Sequence, residues 1–255
     1  MNQILLHLPH SSTVFPEAYW KNRFLLPKKE VERFSETITD RLTGELFPSS
    51  EYPAVIFPYS RVFCDVEKYA DDRKEPMSHW GMGMLYTHTH EKKRFFVPQE
   101  GYRQRLLEEV YLPYHRQLRD VTNGLLRRGD VVLVDCHSYS EEILMERKEA
   151  TPLPDICIGV NEDSSYSKEL TDLAVRFFRE RGYSVEVNAP YSGAMLPEGI
   201  EEGENHLWCM MLEIHKRVYL KENRKSENFE ELKQQLAHLI QLLERDQKLI
   251  GETKG

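Results

Sequence analysis

The sequence predicts an α/β fold in which helices flank a largely parallel or mixed central sheet. Three observations lead there. Short apolar runs rich in Val, Ile and Leu recur along the chain, Val131–Val134 being the clearest. Stretches with apolar residues every three or four positions separate several of these runs. Polar residues capable of chemistry gather where the runs stop, and in open α/β sheets ligands bind at the carboxyl ends of strands.

The expected strands are Ile4–Leu8, Ala54–Phe57, Arg61–Val66, Val131–Asp135, Ile156–Val160, Tyr183–Val187 and Trp208–Ile214. Between Pro98 and Arg128, the series Tyr102, Leu106, Val110, Tyr114, Leu118, Val121 and Leu125 marks an amphipathic helix with a kink expected at Pro113. Ser167–Arg181 repeats the pattern, and Gly182 supplies its stop. A last helix spans about 229–250, with Phe229, Leu232, Leu236, Leu239, Leu243 and Ile250 on one stripe. Packing of that stripe against the domain is expected, with a dimer surface as the other use. The length of 255 residues suits one domain over 1–255.

Charge and composition exclude several classes. The formal net charge of -8 argues against nucleic acid and anionic membranes as partners. No apolar run approaches the ~20 residues of a membrane-spanning helix. The N-terminal MNQILLHLPH lacks the basic start and small-residue cleavage site of a signal peptide, which predicts a cytoplasmic protein. Cys64, Cys136, Cys157 and Cys209 form no CxxC pair and read as buried, reduced thiols.

Four polar clusters stand at strand ends. LLHLPHSS carries His7, His10 and Ser11; SRVFCDVEK carries Arg61, Asp65, Glu67 and Lys68; VDCHS carries Asp135, His137 and Ser138; MLEIHKR carries Glu213, His215 and Arg217. Two histidines and one carboxylate are a common donor set for Zn²⁺ in hydrolases, which leave a further position open. Glu213 lies in an apolar run, where a carboxylate is costly unless paired or functional. A carboxylate beside a metal commonly serves as general base. By spacing alone, a zinc hydrolase and an α/β domain with satisfied polar strand ends both remain open.

The motifs PHSS, SRVFCDVEKYADDRKEPM, GMGMLYT, DCHSYS, PDICIG, NAPYSG and LEIHKRVYL stand in an order that resembles the N-formylglutamate amidohydrolase family. The resemblance runs from Pro9 to Leu220 and implies a zinc carboxypeptidase-like fold, one Zn²⁺ per chain and a role in histidine degradation. It implies hydrolysis of a small-molecule N-acyl amino acid, N-formyl-L-glutamate first. It makes His10 and His137 metal ligands and Glu213 the general base. The carboxypeptidase-type ligand pattern is H-x-x-E, but Thr13 stands three residues after His10. Glu67 is therefore the expected third ligand, with Asp65 its rival and otherwise a support for His10. Asp135 is expected to orient His137 or to serve the fold, and Cys136 to face away from the metal.

Relatives often carry D-x-N-R where this chain has Asp65-Val66-Glu67-Lys68. Lysine keeps the charge but not the planar fork suited to a carboxylate. Arg61 and Arg147 are candidates to stabilise the oxyanion. Lys68, Arg73, Tyr191 and Ser138 are candidates for substrate binding. A carboxypeptidase-like peptidase, another N-acyl amino acid deacylase and a non-catalytic zinc-binding module are the competing readings.

Overall fold

The computed structural model describes residues 1–141, 152–200, 203 and 205–245. Its strands are β1 (Gln3–Leu8), β2 (Arg23–Phe24), β3 (Ala54–Ile56), β4 (Phe96–Val97), β5 (Val131–Tyr139), β6 (Ile156–Gly159), β7 (Val185–Val187), β8 (Leu207–His215), β9 (Leu220–Lys221) and β10 (Arg224–Lys225). Its α-helices are α1 (Lys28–Ile38), α2 (Thr43–Leu46), α3 (Tyr102–Leu106), α4 (Leu112–Leu126), α5 (Lys168–Arg179) and α6 (Phe229–Arg245). The main sheet has six strands in the order β3-β1-β5-β8-β6-β7. The first four run parallel, while β6 pairs antiparallel with β8 and parallel with β7. This is the expected mixed α/β sheet. No helix among the described residues is long and apolar enough to cross a membrane.

β5 is buried along its whole length and runs past Asp135 to Tyr139, so His137 and Ser138 still belong to the ladder. Successive side chains of a strand face opposite sides. Val132, Val134 and Cys136 enter one core with Leu6, Leu212 and the apolar stripes of α5 and α6. Val131 and Leu133 enter a second core with Leu5, Cys209, Phe34 of α1 and Leu118 of α4. Toward the carboxyl ends, this second face changes from apolar residues to His7, Asp135, His137 and Glu213. The register sets His7 opposite Asp135 and His137 opposite Glu213.

α5 is capped by Ser167, whose hydroxyl accepts the Leu170 N–H at 3.3 Å. α6 buries Phe229, Leu232, Leu236, Leu239, Ile240 and Leu243 in the first core, so its stripe packs on the sheet. Each such side chain contributes about 1.5–3 kcal/mol on full burial. The predicted residues 246–250 of this helix lie outside the described residues. Among the described residues, all four cysteines are free and buried.

Two expectations change form. The irregularity expected at Pro113 is a π-turn over Leu107–Tyr111, between α3 and α4. Proline has no N–H to donate and its ring crowds the carbonyl four residues back, and the preceding π-turn accommodates both. The expected strand Arg61–Val66 is a turn, in which the Phe63 and Cys64 N–H groups donate to the Ser60 carbonyl. Its residues Val62 to Val66 are all buried, so the segment has no solvent face and no sheet partner. It follows β3 and brings Asp65 to His10 just past the end of β1.

Candidate active site

His10 follows the end of β1, and His137 stands in β5. Their ring centroids lie 5.2 Å apart. Each ring is held through its far nitrogen: His10 Nε2 lies 2.8 Å from Asp65 Oδ1, and His137 Nδ1 lies 2.9 Å from Asp40 Oδ2. The two remaining nitrogens face Glu67, with Oε2 3.3 Å from His10 Nδ1 and Oε1 3.1 Å from His137 Nε2. His10 Nδ1 is buried and forms no hydrogen bond.

Donor atoms of His10, Glu67 and His137 lie within 4.8 Å of one another, close enough to share one cation. Ligating histidines usually hold their other nitrogen against a carboxylate, and both of these imidazoles are held in that way. An unbonded buried imidazole nitrogen and a two-histidine, one-carboxylate set fit a Zn²⁺ ion. Burial lowers the pKa of His137, yet Glu67, Asp135 and Asp40 raise it well above the ordinary histidine value. The cluster is negative enough to draw a cation, proton or metal.

Asp65 uses its lone pairs elsewhere. Its Oδ2 accepts from Arg61 Nε at 3.0 Å, Arg61 Nη2 at 2.8 Å and the Tyr86 hydroxyl at 2.8 Å. Its Oδ1 meets His10 and accepts the Glu67 N–H at 3.2 Å. Burial pushes this carboxyl up, but Arg61 and His10 outweigh it and hold the pKa well below the usual range. Such a carboxylate supports a histidine and has little left for a metal.

Asp135 stands on the Glu67 side of His137. Its Oδ1 lies 2.9 Å from His137 Nε2 and 2.7 Å from His7 Nδ1, and its Oδ2 accepts the Met195 N–H at 2.9 Å. The Tyr114 hydroxyl meets His7 Nε2 at 2.7 Å. The far nitrogen of His137 belongs instead to Asp40, which no strand-end motif marks. A faint signal exists: Asp40 follows the stripe Val31, Phe34, Ile38 of α1, and a carboxylate just past a helix C-terminus is disfavoured unless paired. Tyr86 and Tyr114 carry no such mark, since aromatic residues at core spacing are ordinary.

Glu213 is 8% exposed, and its Oε2 is buried without a hydrogen bond. Burial raises its pKa, His137 opposes this, and Asp40 and Glu67 add to the rise, leaving it at about 8. A carboxyl group poised there exchanges protons near neutrality.

His10, Glu67, Asp135, His137 and Glu213 line a cleft of about 1180 Å³, together with Arg61, Lys68, Ser138 and Tyr191. The Arg61 guanidinium is tied to Asp65, and Lys68 Nζ lies 3.4 Å from Glu75. Tyr191 packs edge-on against Tyr139, with centroids 5.6 Å apart. Arg73 is not brought to the cleft: its side chain is 89% exposed and pairs with Asp71. Arg147 lies outside the described residues.

A family model described as N-formylglutamate amidohydrolase matches residues 2–220. Two curated relatives, both named N-formylglutamate deformylase, come from Pseudomonas aeruginosa and Pseudomonas putida. Each is 27% identical over 173 residues, which is 64% of this chain and 63% and 62% of theirs. The matched region thus spans under two thirds of those relatives' length. A crystal structure of N-formylglutamate amidohydrolase from Ralstonia eutropha JMP134 superposes with a TM-score of 0.79 at 21% identity, covering 95% of this chain and 92% of that one. A gene product from Agrobacterium tumefaciens gives 0.66 at 19% identity with the same coverage. At these identities the likeness establishes the fold. Because the family model covers all but the first residue and the stretch after Leu220, the chain belongs to the N-formylglutamate amidohydrolase family.

Proposed function

We propose that this protein is a zinc-dependent amidohydrolase of N-acyl amino acids, with N-formyl-L-glutamate as substrate and L-glutamate and formate as products. The observation that carries this reading is the convergence of His10 Nδ1, His137 Nε2 and Glu67 on one point, with Glu213, its Oε2 unbonded, opposite His137 in the ladder. The name of the family and those of the relatives support the substrate. The reading places the enzyme in the cytoplasm as a step of histidine degradation.

His10, Glu67 and His137 would hold the ion, which in such a site polarises an acyl carbonyl and makes water easier to deprotonate. Asp65 and Asp40 fix the orientation and tautomer of the two imidazoles. Glu213 accepts the proton of the attacking water on its free Oε2 and delivers it to the departing amine nitrogen. Arg61, held by Asp65 on the cleft wall, offers its guanidinium to the charge that develops on the acyl oxygen. Lys68 and Tyr191 bind the amino-acid part, and Ser138 completes the wall.

Replacing Glu213 with Gln keeps the volume and removes the proton acceptor. Hydrolysis of N-formyl-L-glutamate should fall about 10²–10⁴-fold with zinc still bound. Turnover close to wild type would remove the general-base assignment. Lys68 in place of an arginine fork favours a second reading, a deacylase of other N-acyl amino acids. A panel of acyl-amino acids separates the two by kcat/KM.

A further inference from the structure

Glu67 lies in a segment that no ladder supports, since residues 61–70 belong to no strand. The backbone before and after it is nonetheless held by side chains. His115 Nε2 lies 2.8 Å from the Val66 carbonyl oxygen, and the Tyr111 hydroxyl donates to the Lys68 carbonyl at 2.9 Å. Between these two anchors, the Glu67 N–H donates to Asp65 Oδ1. A carbonyl only accepts, so His115 carries its proton on Nε2. Burial lowers the pKa of His115, consistent with a neutral ring in that tautomer.

The two anchoring side chains form one unit. Tyr111 and His115 are one helical turn apart, and their rings lie 4.2 Å apart between centroids. Tyr111 is the last residue of the π-turn Leu107–Tyr111, and His115 lies in the first part of α4. π-turns are rare and recur at functional sites. Here the wider turn stands where the helix passes the segment bearing Glu67. Both rings also line the cleft, so neither contact is an incidental one on the far side of the molecule.

We propose that Tyr111 and His115 are positioning residues that clamp the backbone around Glu67 and so aim its carboxylate between His10 and His137. The inference rests on the reading of Glu67 as a metal ligand. The carboxylate oxygens sit 3.3 and 3.1 Å from the two imidazole nitrogens. Holding donors to about 0.5 Å is what a metal site demands, and a turn fixed only by its own backbone bonds does not supply it. Each clamp bond removes one way for the 66–68 peptides to rotate that carboxylate out of place.

The test measures zinc affinity of the full-length protein by chelator competition, beside thermal unfolding of the metal-free form. The variants are Glu67→Gln, Tyr111→Phe, His115→Met and His115→Gln, the last keeping an N–H donor at the reach of Nε2. Glu67→Gln should lose zinc, while Tyr111→Phe and His115→Met should bind it about 10–100-fold more weakly, the range seen for outer partners of metal ligands. His115→Gln should recover most of that affinity, and the metal-free unfolding midpoints of Tyr111→Phe and His115→Gln should stay near wild type. Wild-type zinc affinity in both Tyr111→Phe and His115→Met, with Glu67→Gln impaired, overturns the clamp alone. So does weakening that is matched by loss of metal-free stability and not recovered by His115→Gln. Unchanged zinc affinity in Glu67→Gln overturns the ligand reading itself, and the clamp with it.

Discussion

At the scale of single residues, position along a strand and position in the site are different kinds of information. His10, His137 and Glu213 announce themselves because each interrupts an apolar context at a strand end. Asp40 does not, because it reaches His137 from the end of α1, across a distance in sequence that no local pattern spans. Asp135 shows the converse limit: two residues before His137 it looks like a partner for that ring's far nitrogen, yet strand alternation puts both side chains on one face. Its carboxylate therefore meets the near nitrogen. The division of labour is testable. Asp40→Asn removes the charge behind His137 Nδ1 and should weaken zinc binding about 10–100-fold, read by chelator competition. An unchanged affinity would show that Asp40 serves only the fold. Burial pushes the Asp40 carboxyl up, but the His137 bond and charge bring it below its usual value, the expected signature of a partner that stays ionised.

At the scale of elements, periodicity was enough for the long pieces. The stripes of α5 and α6 and the buried strands β5 and β8 are regular over many residues, and regularity is what a sequence displays. Arg61–Val66 misleads because its Val62, Cys64 and Val66 alternate like a strand, although every residue between Val62 and Val66 is buried and the Ser60 carbonyl closes a turn. Burial on all sides is a tertiary fact, and period two is only one way to produce it. The same packing makes α6 a stability element. Leu236 is 0% exposed within the first core, so Leu236→Ala should lower the unfolding free energy by about 2–5 kcal/mol in denaturant titration. Zinc affinity should be unaffected, since no residue of α6 lines the cleft.

At the scale of the whole molecule, the site ties together parts distant in sequence: the end of β1, the 61–68 turn and β5. A ligand held by all three stabilises the fold by mass action, about 2.7 kcal/mol at a concentration 100 times Kd. Zinc should accordingly raise the unfolding temperature of the wild type and leave His10→Ala unmoved. The sign of the pH effect follows from His137. Its metal-free pKa is raised, so the proton stabilises the metal-free fold below the unfolded value near 6.5, and that contribution is lost as pH rises through the folded value. On the proposed ligand set zinc displaces the same proton, so its apparent affinity should fall on acidification. The gap between the unfolding temperatures with and without zinc should widen as pH rises through neutrality. A gap independent of pH would detach His137 from the metal.

His137 and Glu213 face each other as register partners across the parallel β5–β8 pair. A side chain can drift, but a ladder moves only in whole residues, and a slip by one would bring Leu212 or Ile214 to the place of Glu213. The spacing between the His137 imidazole and the Glu213 carboxyl is thus quantised by backbone hydrogen bonds. The cleft wall around Tyr191, which belongs to no strand or helix, has no such ruler. Under the proposed function, substrate choice can diverge along that wall by small steps while His137 and Glu213 keep their spacing.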